Sequence, residues 1–161
     1  CRLCGQCISV CPTGAIVNKQ LKGTRPWEVT KVRTTCPLCG VGCNFDLNIK
    51  NGKVVGVTPN PDSLVNGTSI CVKGRYHTDM ISNPDRLKKP LAKKNGEFVE
   101  ISWDEALHTV TEKLKETKAK YGPDAIAGLS SARCTNEENF LFQKMMRVAV
   151  GTNSVDHCAR T

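Results

Sequence analysis

Apolar positions along this chain change their period from one stretch to the next. Phe45, Leu47 and Ile49 alternate with polar residues, and Val54, Val55 and Val57 resume after Asn51-Gly52. Alternation at period two predicts half-buried strands, and Asn-Gly between two such runs predicts the tight turn of a β-hairpin. "KKNGEFVEI" repeats the signal at Asn95-Gly96. The period then lengthens. Trp103, Leu107, Val110 and Leu114 fall on one face of a helix, Ser102 and Glu105 have the spacing of a capping box, and Gly122-Pro123 stops it. "DAIAGL" is expected as a short buried strand, followed by the loop "SSARC" and a second helix opened by Thr135 with Glu138 and closed at Gly151. Phe140, Leu141, Met145 and Val148 are expected in its core.

Residues 18–32 are polar, basic and broken by glycine and proline, which predicts a linker, with Trp27 as a docking anchor. The expected class is therefore α+β in several parts. Ten cysteines in 161 residues change the picture most. A hydrophobic content of 39% with 5% aromatic residues supports only a modest core. No stretch approaches the roughly 20 apolar residues of a membrane span. The chain opens on Cys1 within a cysteine motif, so it is expected to be a piece of a longer protein, and the absence of a leader says little about export. A formal charge of +8 would suit a polyanionic partner. Each 4Fe-4S cube held by four thiolates carries about two negative charges, so two of them would halve that figure.

Cysteine spacing separates disulfides from metal. "CRLCGQCISVCPTGAI" places Cys1, Cys4, Cys7 and Cys11 in the pattern C-x2-C-x2-C-x3-C-P. That is the bacterial ferredoxin run, whose fourth cysteine serves the other cluster of a pair. Cys1, Cys4 and Cys7 then need a further ligand upstream, and Cys11 serves a cluster whose other ligands also lie upstream. Gly5 and the turn from Pro12 to Gly14 let backbone amides approach the sulfurs. Zinc is the weaker reading. Cys36, Cys39, Cys43 and Cys71 form a second set, C-x2-C-x3-C-x27-C, unlike the paired C-x2-C of a zinc ribbon. The hairpin and the loop through Pro59, Pro61 and Gly67 would carry Cys71 back to the other three. A reducing compartment is expected.

The second set resembles the amino-terminal 4Fe-4S domain of the molybdopterin oxidoreductases, enzymes with a molybdenum or tungsten bis-molybdopterin guanine dinucleotide (bis-MGD) cofactor. The resemblance implies that Lys73, in "CVKGR", sits between cluster and pterin and helps electrons cross; without it, Lys73 would be a solvated surface charge. It also implies a layout. Residues 1–17 would be the carboxyl half of a two-cluster ferredoxin-like module, 18–32 the linker, 33–88 the small β-rich 4Fe-4S domain, and 89–161 the start of an α/β molybdopterin domain. Strand, polar loop and helix amino terminus make a phosphate-binding geometry, although most such loops hold nothing. With the resemblance, Ser130, Ser131, Arg133 and Asn136 are expected at the pterin pyrophosphate. His108 is expected to be solvent-exposed, and Cys134 and Cys158 to be small buried hydrophobes.

"SSARCTNEENFLFQKMMRVAVGTNSVDHCAR" resembles formate dehydrogenase catalytic subunits. That implies oxidation of formate to carbon dioxide, reversibly, in a soluble cytoplasmic enzyme of an anaerobe, with iron-sulfur, diaphorase or hydrogenase-type partner subunits, no membrane segment and no nucleic acid. In those subunits the residue directly after the one matching Thr161 is the cysteine or selenocysteine that ligates the metal. The expectation here is selenocysteine, whose TGA codon is routinely read as stop, with Cys158 a neighbour and not the ligand. The chain alone would then be inactive. Two alternatives stay open: another bis-MGD oxidoreductase or a respiratory NADH dehydrogenase iron-sulfur subunit, and a zinc-dependent nucleic-acid-binding module.

Overall fold

The alternation around Asn51-Gly52 folds as a three-stranded antiparallel sheet, β1 (Thr30–Thr35), β2 (Asn44–Lys50) and β3 (Lys53–Pro59), in that order. The computed structural model describes Cys1 and residues 3–158, so what is expected at and after Thr161 lies outside the described residues. Asn51 and Gly52 take φ of 52° and 73°, the positive pair that matches hairpin twist. The register slips once, between Asn48 and Ile49, leaving Val55 as the extra residue of a bulge. Phe45 and Val57 then bury against Cys36 and Ile70, with Leu38, Cys43 and Leu47 packed around them. This core is the floor beneath the second cysteine set.

The stretch expected as a linker is folded onto this sheet. Asn18 is buried and caps a 3-10 turn, Lys19–Leu21, whose Leu21 lies against Gly56 so closely that a Cβ there would stand 2.9 Å from it. Residues 30–32 belong to β1, an outer strand of mostly exposed polar side chains that gives no alternation to read. Trp27 is exposed, with the Arg25 guanidinium over its ring. A short helix, α1 (Gln6–Val10), holds Cys7 and ends at Cys11, and another, α2 (Val72–Tyr76), follows Cys71. These elements belong to one compact unit, Cys1–Arg86; Leu87–Thr161 form the other.

The second unit opens with the expected hairpin, β4 (Leu91–Lys94) and β5 (Glu97–Glu100), turned at Asn95-Gly96. The long helix α3 (Trp103–Tyr121) starts at Ser102, whose hydroxyl accepts from the Glu105 amide. Next come β6 (Gly128–Ser131), α4 (Asn136–Met145), a π-helical turn through Val150, and β7 (Val155–Cys158), which pairs parallel to β6. The strand expected in "DAIAGL" thus begins later, because Pro123–Ala125 form a 3-10 turn.

The core here is Ile126, Met146 and Val150 with Leu114, Phe142 and Val155. That corrects the expected one: Phe140, Leu141, Met145 and Val148 are exposed, and so are Trp103, Leu107 and Val110 on α3. Gly128 decides the register of α4, since a Cβ on it would meet the Phe142 ring at 2.8 Å. Phe142, Met146 and Val150, four apart, follow Phe142 inward. The whole is α+β. No helix among the described residues is long and apolar enough to cross a membrane.

Candidate functional site

Backbone geometry brings the second cysteine set together. The Cys36 amide donates to the Cys43 carbonyl at 2.8 Å, closing the loop between them, with Gly42 at a φ of 73°. The return loop is tied down by Asn66, a residue the sequence reading passed over. Its Oδ1 accepts from the Asn44 amide and the Ser63 hydroxyl, and its Nδ2 donates to the Ser69 carbonyl. Cys71 emerges directly after this loop as the residue before α2. Cys36 is buried, Cys39 and Cys43 are half-buried and Cys71 is exposed.

The thiols act on one another. Burial first, then the neighbouring Cys39, Cys43 and Cys71, push the Cys36 thiol above its ordinary value, and burial with Cys39 and Cys71 does the same to Cys43. To bind a metal centre the four sulfurs would have to ionise together, and thiolates held near one another need positive charge among them. Among the described residues no three side chains converge on one point as they would around a single ion. A 4Fe-4S core supplies the positive charge and takes one thiolate per iron, spread over a cube, so the donor set fits it.

Of the first set, Cys7 lies within α1, Cys1 and Cys4 precede it and Cys11 directly follows it. Gly5, at a φ of 74°, precedes the helix and is buried. The Thr13 hydroxyl, then the amides of Ile16, Thr13 and Ala15, lower the Cys11 thiol to about 6, the approach of backbone donors expected from the Pro12–Gly14 turn. Cys4 lines one open cavity of about 610 Å³ together with Cys43 and Cys71, so members of both sets face the same space.

Lys73 is half-buried on α2. It lines two concavities, one of about 580 Å³ shared with Cys36 and Arg86, the other of about 450 Å³ shared with Tyr76, His77 and Asp79. Two places further on, Arg75 is 1% exposed and bonded to the first cysteine segment. Sequence reasoning missed it, because an arginine in a basic run reads as surface; the signal was its place one turn after Cys71.

In the second unit Ser130 and Ser131 line a groove of about 460 Å³ with Asn139, Gln143, Asp156 and His157. Arg133 and Asn136 are exposed and are not part of its wall. The amino end of α4 is already served: Thr135 donates through its amide and hydroxyl to Glu138, whose own amide donates back to the Thr135 hydroxyl. Ser130 is bonded to Asn139, and Asn139 Nδ2 donates to the Ser131 carbonyl. Cys158 corrects an expectation. It is exposed, its sulfur lies 3.3 Å from the Ser131 hydroxyl, and that hydroxyl, the Ala132 amide and the Arg133 charge lower its thiol pKa. Cys134 is half-buried, and His108 is exposed as expected.

Three family models match the chain in succession: the 4Fe-4S binding domain over residues 1–17, the molybdopterin oxidoreductase Fe4S4 domain over 29–83, and molybdopterin oxidoreductase over 86–161. The chain belongs to the molybdopterin oxidoreductases, with their iron-sulfur domain. Its curated relatives include proteins of Staphylococcus aureus strains bovine RF122 / ET3-1 and MSSA476, named putative formate dehydrogenases, to which it is 36% identical over 199 aligned residues. The alignments take in 99% of this chain, which spans 20% of the length of those relatives.

Proposed function

We propose that this chain serves a molybdenum- or tungsten-dependent formate dehydrogenase, in which formate is converted reversibly to carbon dioxide, a proton and two electrons. When bound, a bis-MGD cofactor supplies the two-electron chemistry and 4Fe-4S clusters move electrons singly. Cys36, Cys39, Cys43 and Cys71 hold one cluster. Cys1, Cys4, Cys7 and Cys11 contribute ligands to ferredoxin-like clusters. Lys73 is the cation between the second cysteine set and the pterin, and Ser130 and Ser131 at the end of β6, with Arg133 in the loop and Asn136 at the start of α4, contact the pterin or its pyrophosphate. The enzyme is cytoplasmic in an anaerobe, and its partners are iron-sulfur, diaphorase or hydrogenase-type subunits.

The observation that carries this reading is the loop closed between Cys36 and Cys43, with Cys71 sharing a cavity with Cys43, and with Lys73 on the groove beside Cys36. The names of the relatives supply the substrate. Full-length protein, purified without oxygen, is expected to reduce a viologen dye with formate; oxidation of reduced dye by nitrate, with no formate activity, overturns the substrate. Reconstitution of the present chain tests the cluster. Cys71→Ser is expected to lose about four irons relative to the parent, one cube. Unchanged iron and sulfide, or zinc in place of iron, would exclude the assignment.

A further inference from the structure

A buried guanidinium normally announces a carboxylate partner, because an unpaired charge out of water is costly. Arg75 is 1% exposed, yet none of the ion pairs among the described residues includes it. Its side chain spends its donors on the first cysteine segment: Nε on the Cys4 carbonyl at 3.0 Å, Nη2 on the Ser9 hydroxyl at 2.8 Å and on Gln6 Oε1 at 3.5 Å. Its main-chain amide donates to the Cys71 carbonyl at 3.0 Å. One residue therefore bonds Cys4 with its side chain and Cys71 with its backbone.

The segment opposite is shaped to receive it. Gly5 is buried, and a Cβ there would stand 2.4 Å from the Tyr76 hydroxyl and 2.5 Å from Arg75 Cδ. Only a glycine lets that backbone, already at a φ of 74°, come so close. Cys4, Cys43 and Cys71 share one cavity with Gln6, which also accepts from Arg75, so on the cluster reading the buried cation stands beside the anionic clusters those sulfurs would hold.

We propose that Arg75 is a positioning residue that docks the first cysteine set against the second and supplies the buried positive charge between the clusters they hold. The proposal rests on the cluster reading above. A planar fork of donors can meet a carbonyl, a hydroxyl and an amide oxygen at once, whereas a lysine presents a single ammonium. Docking sets the distance and the bonded path between clusters. The charge favours the reduced cluster, which carries an additional electron.

Full-length protein purified without oxygen tests this, as wild type, Arg75→Lys, Arg75→Met and Gly5→Ala. Each is read by iron content, by paramagnetic resonance of the fully reduced protein, by redox titration and by chymotrypsin release of the first segment. All four are expected to keep the cluster of the second set. Both Arg75 variants and Gly5→Ala should lose the magnetic interaction between clusters and release the segment ~tenfold faster or more, the opening expected when a charge-assisted contact is lost. Arg75→Met should also lower the reduction potential, which Arg75→Lys, keeping the charge, should hold near that of the wild type. Wild-type interaction, potential and protease resistance in Arg75→Met would overturn the proposal. If Arg75→Met loses the second cluster as well, Gly5→Ala decides, and intact docking there overturns it. A wild type without iron at the first set would refute the cluster reading instead, and the protease comparison alone would then judge the docking.

Discussion

Lys73 lines two grooves and is half-buried, so its removal should be visible in rates before it is visible in stability. Lys73→Gln in the full enzyme is expected to slow formate-dependent turnover by about tenfold or more, roughly 1.4 kcal/mol of barrier. Iron content and electronic spectra should not change; unaffected turnover would return Lys73 to the surface-charge reading. Cys158 offers a test of the second unit that requires no cofactor. Its pKa lies below the ordinary thiol value of 9.0, the Ser131 hydroxyl being the largest cause. A lowered pKa leaves more thiolate at neutral pH, and the thiolate is the nucleophile. Ser131→Ala should therefore slow alkylation of Cys158 by iodoacetamide near pH 7, and the two rates should converge once the pH exceeds 9.0. Equal rates at pH 7 would show that the hydroxyl does not hold the thiolate. Neither side chain's setting could be read from the sequence. Cys158 is placed by a strand pairing whose partner, β6, lies far back in the chain.

At the scale of elements, local chemistry decided what could be read. Asn-Gly turns and capping boxes act within a few residues, and both hairpins and both long helices stand where those signals put them. The box at α4 is open to measurement: Thr135→Ala should cost about 1 kcal/mol, seen as a lower urea midpoint with an unchanged slope. No change in midpoint would mean that Glu138 caps the helix without the hydroxyl. The buried face of α4 was not legible. Phe140 and Leu141 compete with Phe142 in sequence, and the choice falls to Phe142 only because Gly128 leaves room opposite it. The strand β1 escaped notice for a related reason. It pairs through its backbone while showing solvent mostly polar side chains, so it has no alternation to detect. Cysteine spacing, in contrast, pointed to the candidate site: Cys36, Cys39 and Cys43 lie at short intervals, and the hairpin and loop return Cys71 to the cavity that Cys43 lines.

For the whole molecule both units leave large apolar side chains uncovered: Leu3, Trp27 and Leu64 in the first and Trp103, Phe140 and Val148 in the second are more than half exposed. This chain spans 20% of the length of those curated relatives, which makes the family assignment a statement about domains and leaves their full chemistry to the longer polypeptide. The parallel pair β6–β7 has a further consequence. Among the described residues each strand has one strand neighbour, so each keeps an edge without strand pairing, beside a Leu129 that is 79% exposed. Open edges of this kind recruit further strands from other molecules. The chain expressed by itself should therefore scatter more light per unit mass as its concentration rises, and a charged residue in place of Leu129 should suppress that growth. For anyone producing it, the practical limit is colloidal: dilute handling, or a fusion partner that shields the open edge, will decide the yield of usable protein.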